Sequence, residues 1–351
     1  MLPLEVLQRA GAEITNYGGS GMSVMEMSHR SKIFLKIFDE TQEKFRKLLG
    51  VPEGYKVLFL QGGGTMQFGM IPLNLIGRTG QADYAVTGHF ANLAMKEAKK
   101  YGQVTIAASS EDRKHVYIPA QEQLKLNPDA SYFYYCSNNT IEGTQWQYVP
   151  ETGSVPLACD MSSDILSRPV DVSKFGLIFA GAQKNLAPAG VAFAIIREDM
   201  LDRIVRDLPT MVSFRTHVEN NSMFNTPPVF PIYVLMETLR WLKSIGGVGE
   251  IFRRNREKAA LLYDEIDRNP LFRGTVEKED RSLMNICFVM ADGYEELAPE
   301  FMEVAKARGI VGIKGHRLVG GFRASCYNAL PAESVRVLVE CMQEFAAKHA
   351  K

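Results

Sequence analysis

The sequence has little of what marks a secreted, membrane-spanning or disulfide-rich protein. Its 351 residues include only five cysteines, and no two of them form a C-x-x-C pair. No run of about 18 apolar residues occurs. The start lacks a charged segment that leads into an apolar one, so no targeting signal is predicted. We therefore expect a soluble, cytoplasmic protein whose cysteines are reduced and buried.

Charge of one sign is also absent, because 40 basic side chains balance 40 acidic ones. This balance argues against a nucleic acid or membrane partner, and any anion must bind at a local site. The six histidines show none of the spacings of metal-binding motifs, so we expect no metal site. The chain is long enough for roughly two domains.

What the sequence does contain is an alternation of short apolar runs and amphipathic helical patterns. The predicted strands of the first two thirds are 57–60, 82–87, 104–108, 132–136, 155–160 and 177–180. Such alternation is typical of an α/β protein with a mostly parallel, doubly wound sheet. After the glycine pair at 246–247 the alternation begins again. We expect a large domain of residues 15–246 and a smaller C-terminal α/β domain of residues 1–14 and 247–351.

One lysine stands out because it directly follows a buried strand. Gly181 and Pro188 interrupt the pattern of strand 177–180, so Lys184 lies just past the strand end. Parallel sheets bind ligands at the carboxyl ends of their strands, and a lysine among apolar neighbours there is a candidate amine nucleophile. A solvated lysine in a surface turn is the alternative reading.

Other predicted strand ends carry residues that suit an anionic, planar ligand. The glycines at 62–64 and Thr65 stand between a strand and a helix, where backbone N–H groups can bind phosphate. Phe90 follows a second strand and could stack on a ring. Asp160 ends a third strand. Each feature has an ordinary alternative: a turn without ligand, core packing, or a helix cap.

Together these features match what pyridoxal phosphate requires of its protein. Asp160 can keep the pyridine nitrogen protonated, and Lys184 can form a Schiff base with the cofactor. The turn at 62–65 can bind its phosphate, and Phe90 can cover its ring. We therefore predict pyridoxal phosphate as the cofactor.

Longer segments resemble the phosphoserine aminotransferases, a family of class V, fold-type I pyridoxal phosphate enzymes. The resemblance spans nearly the whole chain and is carried by residues 23–30, 61–68, 138–143, 167–176, 180–190, 225–230 and 315–325. It implies a fold-type I transferase and a transaminase of L-serine biosynthesis. The implied reaction transfers an amino group between L-glutamate and 3-phosphohydroxypyruvate, giving O-phospho-L-serine and 2-oxoglutarate.

The resemblance also implies roles for single residues that bind the cofactor. Lys184 would form the Schiff base, Asp160 would contact the pyridine nitrogen, and Thr140 would bond the phenolic oxygen. Phe90 takes the ring-stacking position. The resemblance further implies an obligate homodimer with composite active sites. The residues implied to hold the cofactor phosphate are Gly64, Thr65, Gln183, Asn225 and Thr226, of which the last two come from the second subunit.

Basic residues are implied to bind the two small-molecule substrates. Arg323 would meet the α-carboxylate. His29, Arg30, His316 and Arg317 would receive the distal phosphate or the side-chain carboxylate of glutamate. The forked donors of a guanidinium group fit both anions.

Two alternative functions remain open. One is a class V aminotransferase or lyase that acts on an unphosphorylated amino acid, such as a serine–pyruvate transaminase or a cysteine desulfurase. Desulfurases typically have histidine where this chain has Gln183. The other is a non-catalytic dimer that binds a phosphorylated ligand and in which Lys184 is only structural.

Overall fold

Two β-sheets organise the chain in the computed structural model, which describes residues 1–349. The strands of the large sheet are β1 (Tyr55–Leu60), β2 (Gln81–Val86), β3 (Gln103–Ser109), β4 (Phe133–Cys136), β5 (Leu157–Asp160), β6 (Leu177–Gly181) and β7 (Ala192–Arg197). Those of the small sheet are β8 (Phe272–Gly274), β9 (Asn285–Met290) and β10 (Phe322–Ser325).

The large sheet is mostly parallel, as the alternation of strands and helices predicted. Its spatial order is β1-β7-β6-β5-β4-β2-β3, and the pairs from β6 to β3 are all parallel. Strand β7 was not predicted, and it runs antiparallel to both β1 and β6. The connection 182–191 is too short for the helical crossover that a parallel neighbour requires, so the chain turns back at once.

Helices cover both faces of the large sheet, which gives it the doubly wound architecture. The helices of the described residues are α1 (Leu4–Glu13), α2 (Lys32–Leu49), α3 (Gly63–Leu75), α4 (His89–Ala98), α5 (Phe214–Glu219), α6 (Val229–Ser244), α7 (Gly247–Arg268), α8 (Ala298–Ala307) and α9 (Ala332–His349). Val57 and Phe59 of β1 join the core with α2 and α6, whereas Leu58 and Leu60 join the core with α3 and α4. Successive strand residues point to opposite faces, so one strand supplies both cores.

A third apolar core surrounds the small sheet. The sheet is antiparallel in the order β10-β9-β8, and α7, α8 and α9 pack on it through residues such as Leu262, Phe301 and Phe345. This part of the chain forms the smaller α/β unit that was predicted to follow the glycine pair.

All five cysteines are buried and free, as predicted from their spacing and apolar surroundings. Along residues 1–349, no helix combines the length and the apolar character needed to cross a lipid bilayer.

Candidate active site

Seven of the nine predicted cofactor residues meet at the edge of the sheet where three neighbouring strands end. Strands β4, β5 and β6 are adjacent and parallel, so the segments that follow them share one edge of the sheet. Together with the first turns of α3 and α4, they form a cleft lined by Gly64, Thr65, Phe68, Phe90, Cys136, Asn138, Thr140, Asp160, Ser162, Ser163, Gln183 and Lys184. Seven of these were predicted from the sequence as cofactor residues.

Lys184 is half-buried and faces two of the predicted cofactor residues. Its Nζ donates a hydrogen bond to Thr140 Oγ1 at 2.7 Å. The same nitrogen lies 5.4 Å from the centroid of the Phe90 ring, close enough for the cation to be attracted to the ring face. The amine is therefore held between a hydroxyl and an aromatic ring at the end of β6.

Asp160 is a buried carboxylate at the end of β5, with 5% of its surface exposed. Its Oδ1 accepts the backbone N–H of Ser162 at 2.8 Å. Burial raises the pKa of the Asp160 carboxyl, while the Ser162 hydrogen bonds and the charge of Lys184 act in the opposite direction. Such a group favours a partner that supplies positive charge or a proton, as a protonated ring nitrogen does.

Gly64 lies in the first turn of α3, and it allows that helix to approach the end of β6. A Cβ atom at Gly64 would stand 3.1 Å from Ser162 Oγ, tighter than an ordinary contact. Ser162 Oγ in turn accepts the backbone N–H of Gly181 at 3.0 Å. Thr65 and Gln183 are exposed beside this contact. The free N–H groups of a helix N-terminus there suit a phosphate.

Phe90 is positioned by a residue that is distant in the sequence. Helix α4 begins at His89, directly after Gly88, and includes Phe90 in its first turn. The reason is that Glu142 Oε1 accepts the backbone N–H of His89 at 2.8 Å, which replaces a local helix cap. Burial raises the pKa of Glu142, and the His89 hydrogen bond acts against this rise.

Arg323 reaches the cleft from the small sheet. It lies on β10, and its Nη1 donates to the backbone oxygen of Thr140 at 3.2 Å. His316 lies nearby, with its ring centroid 6.3 Å from that of His89. Burial lowers the pKa of His316, and the charge of Arg323 acts in the same direction. Arg317 is exposed next to it.

Seven predicted residues lie outside the cleft lining of this chain: Arg323, His316 and Arg317, described above, and the four residues Asn225, Thr226, His29 and Arg30. Asn225 Nδ2 donates to Gln61 Oε1 at 2.8 Å, and Gln61 Nε2 donates to the backbone oxygen of Thr226 at 2.6 Å. His29 is half-buried and Arg30 exposed, in the segment before α2. None of the four lines the cleft around Lys184.

The sequence interpretation missed several cleft residues, of which Ser162 is the most informative. Ser162 contacts Asp160 and Gly181 through hydrogen bonds. Its signal in the sequence is its position two residues after Asp160, at the end of a predicted strand. Asn138 and Ser163 lie at such positions too, and Asn138 Nδ2 donates to Ser163 Oγ at 2.7 Å.

A family model and a related protein both match this chain over nearly its whole length. The family model for aminotransferase class-V matches residues 1–338. A phosphoserine aminotransferase of Parabacteroides distasonis is 52% identical over 343 residues, which cover 98% of this chain and 95% of that protein.

Solved structures are also similar along the whole chain. The phosphoserine aminotransferase of Bacillus circulans subsp. alkalophilus superposes with a TM-score of 0.97 at 49% identity, covering 100% of this chain and 97% of that one. A PLP-bound phosphoserine aminotransferase of Trichomonas vaginalis superposes with a TM-score of 0.93 at 42% identity, covering 98% of this chain and 97% of that one.

Proposed function

The chain belongs to the class-V aminotransferase family, and on this premise we propose the reaction that it catalyses. It transfers an amino group between L-glutamate and 3-phosphohydroxypyruvate, giving O-phospho-L-serine and 2-oxoglutarate in L-serine biosynthesis. The observation that carries this proposal is the position of the Lys184 amine, 2.7 Å from Thr140 Oγ1 in a cleft that also contains buried Asp160. The choice of substrates is supported by phosphoserine aminotransferases that share about half of their residues with this chain.

Pyridoxal phosphate is the cofactor, and the residues of the cleft fit it. The fit rests on a buried carboxylate with few hydrogen bonds, an amine beside a ring, and a helix N-terminus that starts with glycine. When bound, pyridoxal phosphate supplies a carbonyl carbon that accepts the amino group and a protonated ring that withdraws electrons from it.

The residues of the cleft would divide the remaining roles. Asp160 would hold the proton on the ring nitrogen, and Thr140 would bond the phenolic oxygen. Phe90 would cover one face of the ring. Thr65, Gln183 and the backbone of Gly64 would bind the phosphate.

Lys184 has two roles in this proposal. Its Nζ would be the point of covalent attachment for the cofactor, and the amine would be free once the amino donor is attached there instead. The free amine then acts as the general base that takes the proton from the substrate Cα. Since the amino donor and the amino acceptor use the same site in turn, the kinetics are ping-pong.

The substrate anions are bound by basic residues. Arg323 binds the α-carboxylate, which its place beside Thr140 supports. His29, Arg30, His316 and Arg317 bind the distal phosphate of one substrate and the side-chain carboxylate of the other. The same donors serve both because each anion presents oxygen acceptors of similar geometry.

We also propose a cytoplasmic homodimer with composite active sites, in which Asn225 and Thr226 bind the phosphate of the partner subunit's cofactor. Their position beside Gln61, outside the cleft lining of their own chain, supports this assignment. Free, buried cysteines are consistent with a reducing compartment.

The proposed domains are residues 15–246 and residues 1–14 with 247–351. The N-terminal segment contacts both parts: Met1, ahead of α1, lines a cavity with Leu262 of α7, whereas Val6 of α1 packs in the core with α6.

The phosphate on the substrate provides a first test of the proposed function. We expect kcat/KM for 3-phosphohydroxypyruvate to exceed that for hydroxypyruvate by at least about 10²-fold, because two charge-assisted hydrogen bonds contribute roughly 1.5–3 kcal/mol each. Arg317→Ala should remove most of this preference. Arg336→Ala, which replaces an exposed arginine of α9, is the matched control and should retain it. Equal turnover of both compounds by the unaltered enzyme would favour the alternative that acts on unphosphorylated substrates.

The composite site can be tested with hybrid dimers. We expect a mixture of Lys184→Ala subunits with subunits carrying Asn225→Ala and Thr226→Ala to recover about a quarter of the unaltered activity, since half the dimers are hybrids and each has one intact site. In the control mixture, Lys184→Ala is combined with Asp160→Asn. Both changes then lie in the same cleft, so no hybrid has an intact site. Absence of recovery in the first mixture would contradict the composite site.

A further inference from the structure

The segments that follow three of the proposed site residues converge on one group of buried polar side chains. The group, which we call the asparagine cluster, consists of Asn185, Asn255, Lys258 and Asn328, each at most 4% exposed. Its members come from the loop after β6, from helix α7 and from the loop after β10. Their hydrogen bonds connect the two sheets.

Asn185 joins the Lys184 loop to the loop after β10. It is the next residue after Lys184, and its Oδ1 accepts the backbone N–H of Asn328 at 3.0 Å. Its Nδ2 donates to the backbone oxygen of Ile165, in the segment after Asp160, at 3.2 Å. Both bonds involve backbone groups, so the orientation of the amide is determined by its partners.

Asn328 extends these connections to helix α7. Its Nδ2 donates to the backbone oxygen of Leu166 at 2.9 Å, and its Oδ1 accepts from Asn255 Nδ2 at 2.9 Å. Asn255 Nδ2 also donates to the backbone oxygen of Ser167 at 3.1 Å. Leu166 has a φ of 53°, an unfavourable conformation for leucine that the surrounding bonds must maintain.

Lys258 fastens the chain directly after β10. Its Nζ donates to the backbone oxygens of Cys326 at 3.2 Å and Tyr327 at 2.9 Å. Burial lowers the pKa of Lys258 to about 8, with the Cys326 thiol acting against this shift and Arg254 in its direction. Burying this amine costs free energy, and its hydrogen bonds go to backbone oxygens. The backbone that it holds directly follows β10, the strand that carries Arg323.

We propose that the asparagine cluster is a positioning element that sets the separation of Lys184 from Arg323. The inference rests on the proposed function, in which Arg323 binds the α-carboxylate and Lys184 takes the Cα proton. Lys184 follows a strand of the large sheet and Arg323 lies on a strand of the small sheet, so their separation depends on the bonds that join the two sheets. Asn185 and Asn328 use both the oxygen and the nitrogen of their amides in this buried network, and only Asn255 Oδ1 has no partner, so the network restrains this separation.

Asn328→Ala is the principal test, made on the holoenzyme. We expect kcat/KM for glutamate to fall by about 10²-fold, because a misplacement near 1 Å between reacting groups costs that much. Borohydride reduction should still yield the pyridoxyl adduct on Lys184 at the unaltered stoichiometry. The adduct separates misalignment of the substrate from loss of the cofactor site.

Asn269→Ala is the matched control for stability. Asn269 is a buried asparagine at the end of α7, where its Nδ2 donates to Glu265 Oε1 at 2.7 Å and its Oδ1 accepts the backbone N–H of Leu271 at 3.0 Å. It contacts none of the segments that follow the site residues. We expect it to lower the Tm about as much as Asn328→Ala does, with kcat/KM within about 3-fold of the unaltered value.

The outcomes distinguish the two proposals. Either of two results would show that the cluster only stabilises the fold and that the inference is wrong. One is that Asn328→Ala, assayed well below its Tm, has the kcat/KM of the unaltered enzyme. The other is that Asn269→Ala loses as much kcat/KM as Asn328→Ala does. Should Asn328→Ala fail to fold, Asn255→Ala removes one donor of the same cluster and is judged by the same measurements. An unaltered enzyme that does not transaminate glutamate would instead contradict the proposed function, and the inference with it.

Discussion

Replacement of Lys184 by alanine is expected to lower kcat by at least about 10⁴-fold, the largest effect of any single change in this chain. With the roles proposed for Lys184, the variant would lose both the covalent attachment of the cofactor and the general base. Steady-state kinetics with glutamate and 3-phosphohydroxypyruvate measure the loss. Borohydride reduction and peptide mapping should find the pyridoxyl adduct on Lys184 of the unaltered protein and no adduct at this position in the variant.

Lys174→Ala is the matched control, because Lys174 is exposed in the turn before β6 and is only ten residues from Lys184. It should retain full activity and the adduct. An unaltered protein that forms no adduct would favour the alternative of a non-catalytic binding dimer. Full turnover by Lys184→Ala would overturn the assignment of the cofactor lysine.

Asp160→Asn is expected to have the second largest effect, a fall in kcat of about 10³-fold. The amide has the shape of the carboxylate but no charge, so it cannot stabilise the proton on the ring nitrogen in a buried, low-dielectric site. Asp171→Asn is the control, since Asp171 is an exposed cap whose Oδ1 accepts the backbone N–H of Ser173. Comparable losses in the two variants would argue against the role of Asp160.

Asp160→Asn also tests how the free energy of unfolding depends on pH, and this test needs no activity assay. In the cofactor-free protein, burial raises the pKa of Asp160 above the ordinary 3.8. Unfolded chains release this proton near that value while the native state keeps it, so the free energy of unfolding falls as pH rises through the interval between the two pKa values. Asp160→Asn should remove this part of the pH dependence in denaturant titrations.

The placement of Lys184, Asp160 and Thr140 in one cleft could be predicted from the sequence. Each follows an apolar run with strand character, and in a parallel sheet the ends of such strands share an edge. The strands that precede them, β4, β5 and β6, are neighbours in space in the same order as in the chain. Recognition of the strands was therefore sufficient to bring the residues together.

Residues held by distant partners could not be placed in this way. The start of α4 depends on Glu142, and the position of Asn328 depends on Asn185 and Asn255. No local sequence pattern predicts these hydrogen bonds, because propensity and periodicity describe only a residue and its near neighbours. His29 and Arg30 lie in an exposed segment outside the cleft lining, so their substrate role remains a prediction.

The sequence by itself determined the α/β alternation, the residue types at the strand ends and the class of cofactor. These follow from hydrophobic periodicity and from side-chain chemistry, both of which are local. Only the tertiary structure decided that β7 turns back, that Ser162 links Asp160 to β6, and that Arg323 of the small sheet reaches Thr140. Each of these depends on contacts between segments far apart in the chain, and such contacts form only when the whole core packs.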